Sequence, residues 1–169
     1  VTGVAGNGAA VALSWGQITD ITGHLADAAA IDGTPAVIAG ILRGGMIPAI
    51  TLAHALGVRE VRTADVTCTV SDTVNAPKTG SPVIRNPGSL GDLSGLDILL
   101  VDDIAGTGQT MQAARDLVAA AGAVRVRTAA CAVNELNWQR RHPGGDPADT
   151  FTYIGARYRG WVTFPWEKQ

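Results

Sequence analysis

Cysteine is scarce in this 169-residue chain, lysine is scarcer among its charges than arginine, and long apolar runs are missing. Cys68 and Cys131 stand far apart with no Cys-x-x-Cys spacing, which argues against a disulfide framework or a zinc site and predicts reduced, half-buried thiols. The 13 basic residues face 15 acidic ones, and the resulting net charge of −2 gives no reason to expect a nucleic-acid partner. All of those basic residues except Lys78 and Lys168 are arginine, the side chain suited to bidentate phosphate contacts. No stretch approaches the roughly 18 consecutive apolar residues of a membrane span. The first ten residues also lack the basic start and apolar middle of a secretion signal. A cytoplasmic protein with no membrane partner is the expectation. With 46% hydrophobic and 17% charged residues, the length suits one compact domain, read as residues 11–169, behind a small-residue tail at 1–10 read as flexible.

What is present is a strand-loop-helix unit of unusual chemistry. Ile98-Leu99-Leu100-Val101 reads as a strand buried on both faces, and it delivers Asp102 and Asp103 into the small-residue run Ile104-Ala105-Gly106-Thr107-Gly108-Gln109-Thr110. From Met111 the apolar positions Ala114, Leu117, Val118 and Ala121 recur at helical spacing, with Gly122 placed to close the helix. A glycine-rich turn at a helix N-terminus aims backbone N–H groups at an anion. Because no lysine follows the glycines, the turn is not a Walker-type loop, and it lacks the Gly-x-Gly-x-x-Gly spacing of a dinucleotide fold.

The rest of the chain alternates strands and helices. Ser14 is placed to cap a helix from about Trp15 to Ala30, ended by Asp32-Gly33-Thr34-Pro35. A strand at Ala36–Ala39 enters Gly40-Ile41-Leu42-Arg43-Gly44-Gly45, and a second helix runs from Pro48 to Leu56 with Gly57 after it. Residues Glu60 to Val70 read as one Val- and Thr-rich strand. The following stretch, Ser71 to Gly95, is too long for an ordinary connection and reads as an active-site flap with short strands inside. Further strands are expected at Val124–Val133 and Thr150–Ala156. This order predicts an α/β fold with a doubly wound, mainly parallel sheet, whose ligand lies beyond the carboxyl ends of the strands where strand order reverses.

The run from Ile98 to Thr110 resembles the phosphoribosyl-pyrophosphate (PRPP) motif of the type I phosphoribosyltransferases, and the resemblance extends over most of residues 14–167. It implies the fold of that family, with a small hood built from the N- and C-terminal segments. It also implies transfer of the 5-phosphoribosyl group to a ring nitrogen of a purine or purine-like base, with release of pyrophosphate. Asp102 and Asp103 would contact the ribose hydroxyls, directly or through Mg²⁺ carried by the substrate, and Ala105, Gly106, Thr107, Gly108, Gln109 and Thr110 would hold the 5′-phosphate. Leu42, Arg43, Gly44 and Gly45 resemble the pyrophosphate loop, with a cis peptide expected at Leu42–Arg43. Asp102, Asp103 and Arg43 are the catalytic candidates. On the flap, Ser71 with Lys78 or Arg85 would close on the pyrophosphate. Trp161-Val162-Thr163-Phe164-Pro165-Trp166-Glu167 resembles the end of the xanthine-guanine and hypoxanthine enzymes, so Trp161 would stack on the base and Val162 read its edge through the main chain, with Ile104 and Asn134 beside it. Relatives commonly pair, which points to a homodimer or a higher homo-oligomer.

Two departures touch only the base. Gly106 stands where 6-oxopurine members of the family carry a further Asp that exchanges a proton with the purine, and Cys131-Ala132-Val133-Asn134 lacks the usual lysine for the purine oxygen. Three explanations stand open: a base that needs no strong proton acceptor, a different acid such as Glu135 or Asp72, or PRPP binding without catalysis in a regulatory protein of the same fold.

Overall fold

The computed structural model describes residues 10–69 and 78–167, with side chains described except at 69 and 78–80. Ser14 caps α1 (Trp15–Ile31) through a capping box: its hydroxyl accepts from the Gln17 N–H at 3.2 Å, and the Gln17 side chain accepts from the Ser14 N–H at 2.9 Å. Strand β2 (Val37–Ile41) then leads through the Leu42–Gly45 turn into α2 (Met46–Leu56), which Gly57 ends in the left-handed conformation.

The Val- and Thr-rich run after α2 is two strands, not the single strand expected from Glu60 to Val70. β3 (Val61–Ala64) joins the main sheet, whereas β4 (Val66–Thr69) pairs antiparallel with β5 (Lys78–Ile84) in a separate hairpin. Asp65 is the break, a poor strand former whose carbonyl accepts from the Arg85 N–H at 2.8 Å across the hairpin base. The expected flap therefore contains a strand and a 3₁₀ turn at Pro87–Leu90, while residues 71–77 and the tail at 1–9 lie outside the described residues.

Beyond the hairpin run β6 (Asp97–Ala105), α3 (Gln109–Ala120), β7 (Arg125–Asn134), α4 (Glu135–Arg141) and β8 (Tyr153–Tyr158). The main sheet is parallel throughout, in the order β3-β2-β6-β7-β8. Its interior strands are largely apolar on both faces because helices cover both. Ile38, Leu99, Val101 and Cys131 pack with Ile18, Ile21 and Leu25 of α1 and Leu52 of α2, while Ile98, Leu100 and Ala130 pack with Met111, Ala114 and Val118 of α3 and Trp138 of α4. Cys68 and Cys131 are buried and free. A small hood closes one end, where β1 (Val11–Ala12) runs parallel to β9 (Val162–Thr163). No helix among the described residues is long and apolar enough to cross a membrane.

The strand order reverses between β2 and β6, so the turns that follow these two strands lie side by side at the switch point. The opposite end of the sheet is tied by Arg127, which is buried at 2% exposure. Its guanidinium donates to both oxygens of Asp97 at 3.1 and 2.8 Å and to the carbonyls of Ala29 and Gly33 at 3.1 and 2.8 Å. Removing the acid would leave this cation buried without its partner. We expect Asp97→Ala to lower the unfolding free energy by about 3 kcal/mol, read from the urea midpoint at constant m-value.

Candidate active site

Strand β6 extends through Ala105, so both acids lie within the strand instead of in the loop beyond it. Asp102 is buried at 8% exposure and Asp103 is half-buried. The Asp102 carboxylate accepts from the Asp103 N–H at 3.1 Å, and the Asp103 carboxylate accepts from the Ile104 N–H at 2.7 Å. Burial and then the neighbouring Asp103 charge push the Asp102 carboxyl well above its usual range. Burial also raises Asp103 to about 6, opposed by its bond from the Ile104 N–H and reinforced by the charge of Glu167. Two adjacent carboxylates with raised proton affinity form a site that gains from a cation or from hydroxyl donors.

The Leu42–Gly45 turn meets the acids directly. A side-chain carbon placed on Gly44 would overlap the Asp103 carboxylate. On Gly45 it would lie 2.6 Å from the Val101 carbonyl oxygen and 2.7 Å from that of Ile41. Glycine is required at both positions because backbone and carboxylate approach more closely than any Cβ permits. The Leu42–Arg43 peptide is cis, as the resemblance implies, and Arg43 is exposed.

On the far side of the acids, Gly106, Thr107 and Gly108 form the bend into α3, which begins at Gln109, two residues earlier than its apolar periodicity suggests. Gly108 caps the helix at φ +76° without any side-chain cap bond. The first amides of α3 are thus not met by a capping side chain, the condition under which a helix start receives a phosphate. Thr107 donates its hydroxyl to the Gln109 side chain at 3.2 Å.

A family profile described as phosphoribosyl transferase domain matches residues 14–166, a span that contains all three of these segments. This chain belongs to that family. A xanthine-guanine phosphoribosyltransferase of Ruegeria sp. is 31% identical over 140 residues, covering 80% of this chain and 70% of the relative. One of Gluconobacter oxydans is 30% identical over 132 residues, 77% and 67% of the two chains. The crystal structure of a purine phosphoribosyltransferase from Pyrococcus horikoshii superposes with a TM-score of 0.75 at 31% identity, covering 95% of each chain. A Neisseria gonorrhoeae protein with bound ppGpp shares the fold at a TM-score of 0.74 and 19% identity.

The acids, the Gly44 turn and the α3 start all border the switch point. The base side is less complete. Trp161 is half-buried, and its carbonyl accepts from the Val11 N–H at 2.8 Å, while Thr163 accepts from Leu13 at 2.9 Å. Val162, between them, therefore turns its own N–H and carbonyl away from β1, while its side chain is buried. Ile104 is half-buried against the core. The Asn134 side chain caps α4 by accepting from the Asn137 N–H at 3.1 Å, a local task the sequence reading did not give it. Val133 is fully buried in the core. Glu135 lies 3.9 Å from Arg157.

On the flap, Ser71 and Asp72 lie outside the described residues, and of Lys78 only the backbone is described, at the start of β5. Arg85 is exposed, and its guanidinium lies 3.9 Å from Asp65. Sequence reasoning passed over Glu167, whose charge reaches Asp103 and whose carboxylate accepts from the Phe164 N–H at 2.8 Å. Its position as the last residue of the aromatic heptapeptide was the available signal.

The acids fit Mg²⁺ as hard oxygen donors. Among the described residues, however, no three His, Cys, Asp or Glu side chains gather to hold a metal unaided. Asp102 and Asp103 suit an ion whose remaining ligands come with the substrate.

The raised Asp103 fixes the sign of one pH effect. Because the folded protein binds this proton more tightly than the unfolded chain, the associated stability is complete below about 3.8 and is lost as pH rises through about 6. Without ligand, Asp103→Asn should therefore gain thermal stability relative to the parent as pH rises from 4 to 7. A melting-temperature difference that stays flat across that range would contradict the buried-pair assignment.

Proposed function

We propose that this phosphoribosyltransferase moves the 5-phosphoribosyl group from PRPP to a ring nitrogen of a purine or purine-like base and releases pyrophosphate. The observation that carries the reading is the contact of Gly44 with the Asp103 carboxylate. It sets a turn suited to a departing diphosphate beside acids suited to ribose hydroxyls, with an uncapped helix start on the other side for the 5′-phosphate.

The anomeric C–O bond breaks as the C–N bond forms, and the state between them carries positive charge on the sugar ring. Asp102 and Asp103 lie where they hold the ribose and face that charge, while Arg43 and the turn amides receive the negative charge leaving with the diphosphate. Bound Mg²⁺ would be held by Asp102, Asp103 and the substrate's own oxygens, and would neutralise the leaving group. Trp161 stacks on the base and Val162 reads its edge, with Ile104 and Asn134 beside them. Ser71, Lys78 and Arg85 belong to a flap that covers the diphosphate and excludes water.

Gly106 accepts no proton, so the favoured acceptor is a base that needs no strong proton acceptor from the protein. A homodimer or higher assembly in the cytoplasm completes the proposal; sedimentation velocity reads its size.

The test is a panel of purines and related heterocycles incubated with PRPP and Mg²⁺ while pyrophosphate release is followed. We expect base-dependent release that chelation by EDTA abolishes and added Mg²⁺ restores. Binding of PRPP without release for any base would favour a regulatory protein instead. With the preferred base, Trp161→Ala should raise the KM for the base about tenfold, the usual worth of one stacking contact, and leave the KM for PRPP within twofold.

A further inference from the structure

Helix α4 is the element that the fold and the proposed chemistry leave unexplained. It follows β7 directly, and two of its residues, with His142 that ends it, lie beside three consecutive residues of the bend before α3. A side-chain carbon on Gly106 would sit 3.7 Å from Asn137 Cβ and Nδ2, and one on Gly108 would sit 2.9 Å from the Trp138 ring. Between them, His142 Nε2 lies 3.0 Å from the Thr107 carbonyl oxygen. A carbonyl only accepts, so this ring nitrogen carries the proton and donates.

The ring is held firmly in place. The His142 N–H donates to the Trp138 carbonyl at 2.8 Å, and its own carbonyl accepts from the Gly145 N–H at 3.0 Å. The His142 and Trp138 rings lie 4.4 Å apart between centroids, tilted by 31°. Trp138 is in turn buried at 2% exposure, packed on Phe151, with its indole N–H donated to the Gly145 carbonyl at 3.2 Å. The output of this arrangement is the direction of one carbonyl.

That direction sets an amide. Among the described residues the cis peptide is Leu42–Arg43, so the Thr107–Gly108 peptide is trans, and its carbonyl and N–H point in opposite directions. With the Thr107 oxygen drawn onto His142, the Gly108 N–H faces away from α4. It then joins the uncapped amides of Gln109 and Thr110 at the start of α3. We propose that His142 is a positioning residue for the 5′-phosphate of PRPP: by fixing the Thr107–Gly108 peptide it aims the Gly108 amide at the phosphate without touching it. The proposal rests on the reading of residues 105–110 as the phosphate-binding segment.

The experiment compares His142→Ala with His142→Gln, whose side-chain amide can replace the lost N–H donor. We expect His142→Ala to raise the KM for PRPP about tenfold, the worth of one net hydrogen bond, with kcat and the KM for the base within twofold. His142→Gln should return the PRPP KM to within about twofold of the parent. An unchanged PRPP KM in His142→Ala overturns the proposal. So does a loss of kcat and of both affinities together with a fall in melting temperature that His142→Gln fails to repair.

Calorimetric titration with ribose 5-phosphate, which carries the 5′-phosphate and no diphosphate, separates this idea from the transferase reading. About tenfold weaker binding by His142→Ala, in a protein that turns over no base, would keep the proposal and remove the enzyme. Equal binding by parent and variant, or no binding by either, overturns it.

Discussion

The Asp103 carboxylate lies against the bare Cα of Gly44, and the whole site depends on that approach. The turn after β2 and the end of strand β6 must come within contact distance if one small ligand is to span them. Any side chain at 44 would hold them apart. The same closeness puts two acids into a poorly solvated strand end, where burial raises the proton affinity of both. The unliganded protein bears that cost. On the proposed reading, sugar hydroxyls and a cation would relieve it, and part of their affinity would come from the cost of burying two acids together.

The sheet separates stability from function along its strands. At the N-terminal end of β6 and β7, Arg127 meets acid and carbonyl partners and leaves little polar potential unmet. At the C-terminal ends, neither α2 nor α3 has a side-chain cap, and the acids repel one another. A protein cannot satisfy its own helix starts there and still offer their amides to a phosphorylated sugar. The fully apolar middle of β6, from Ile98 to Val101, keeps these two ends apart and fixed.

What could be read from the sequence was what local chemistry encodes. The apolar run, paired acids and glycines of β6 and its turn follow one another along the chain, so strand, turn and helix are predictable together. Ser14, Gly57 and Gly122 likewise perform the local tasks that their residue types announce. The break at Asp65 is harder to see because the Val/Thr pattern runs through it unchanged; only pairing with a distant strand tells β3 from β4. Helix α4 has seven residues and a single fully buried side chain, Trp138, too little for a period to show. Its one sequence signal was Asn134 followed by Glu135, a cap and a first-turn acid. The bond from His142 to Thr107 joins residues 35 apart, and no spacing rule foretells it.

The base side follows a different logic from the sugar side. Gly106 is not excluded from bearing a side chain, since a carbon there would meet only ordinary contact with Asn137 at 3.7 Å. The missing acid is therefore not forced by crowding. Forgoing a charged partner for an oxo group gives up roughly 1.5–3 kcal/mol of charge-assisted bonding. On the proposed reading, recognition would rest on a ring face at Trp161 and main-chain groups at Val162, which sense shape and edge pattern more than charge. A base arriving already deprotonated needs no acceptor at 106, whereas a neutral one must pass its proton to water while the sugar bears positive charge. On the proposed reading, chemistry at the anomeric carbon, which Asp102, Asp103 and the Gly44 turn would serve, is separable from the choice of base.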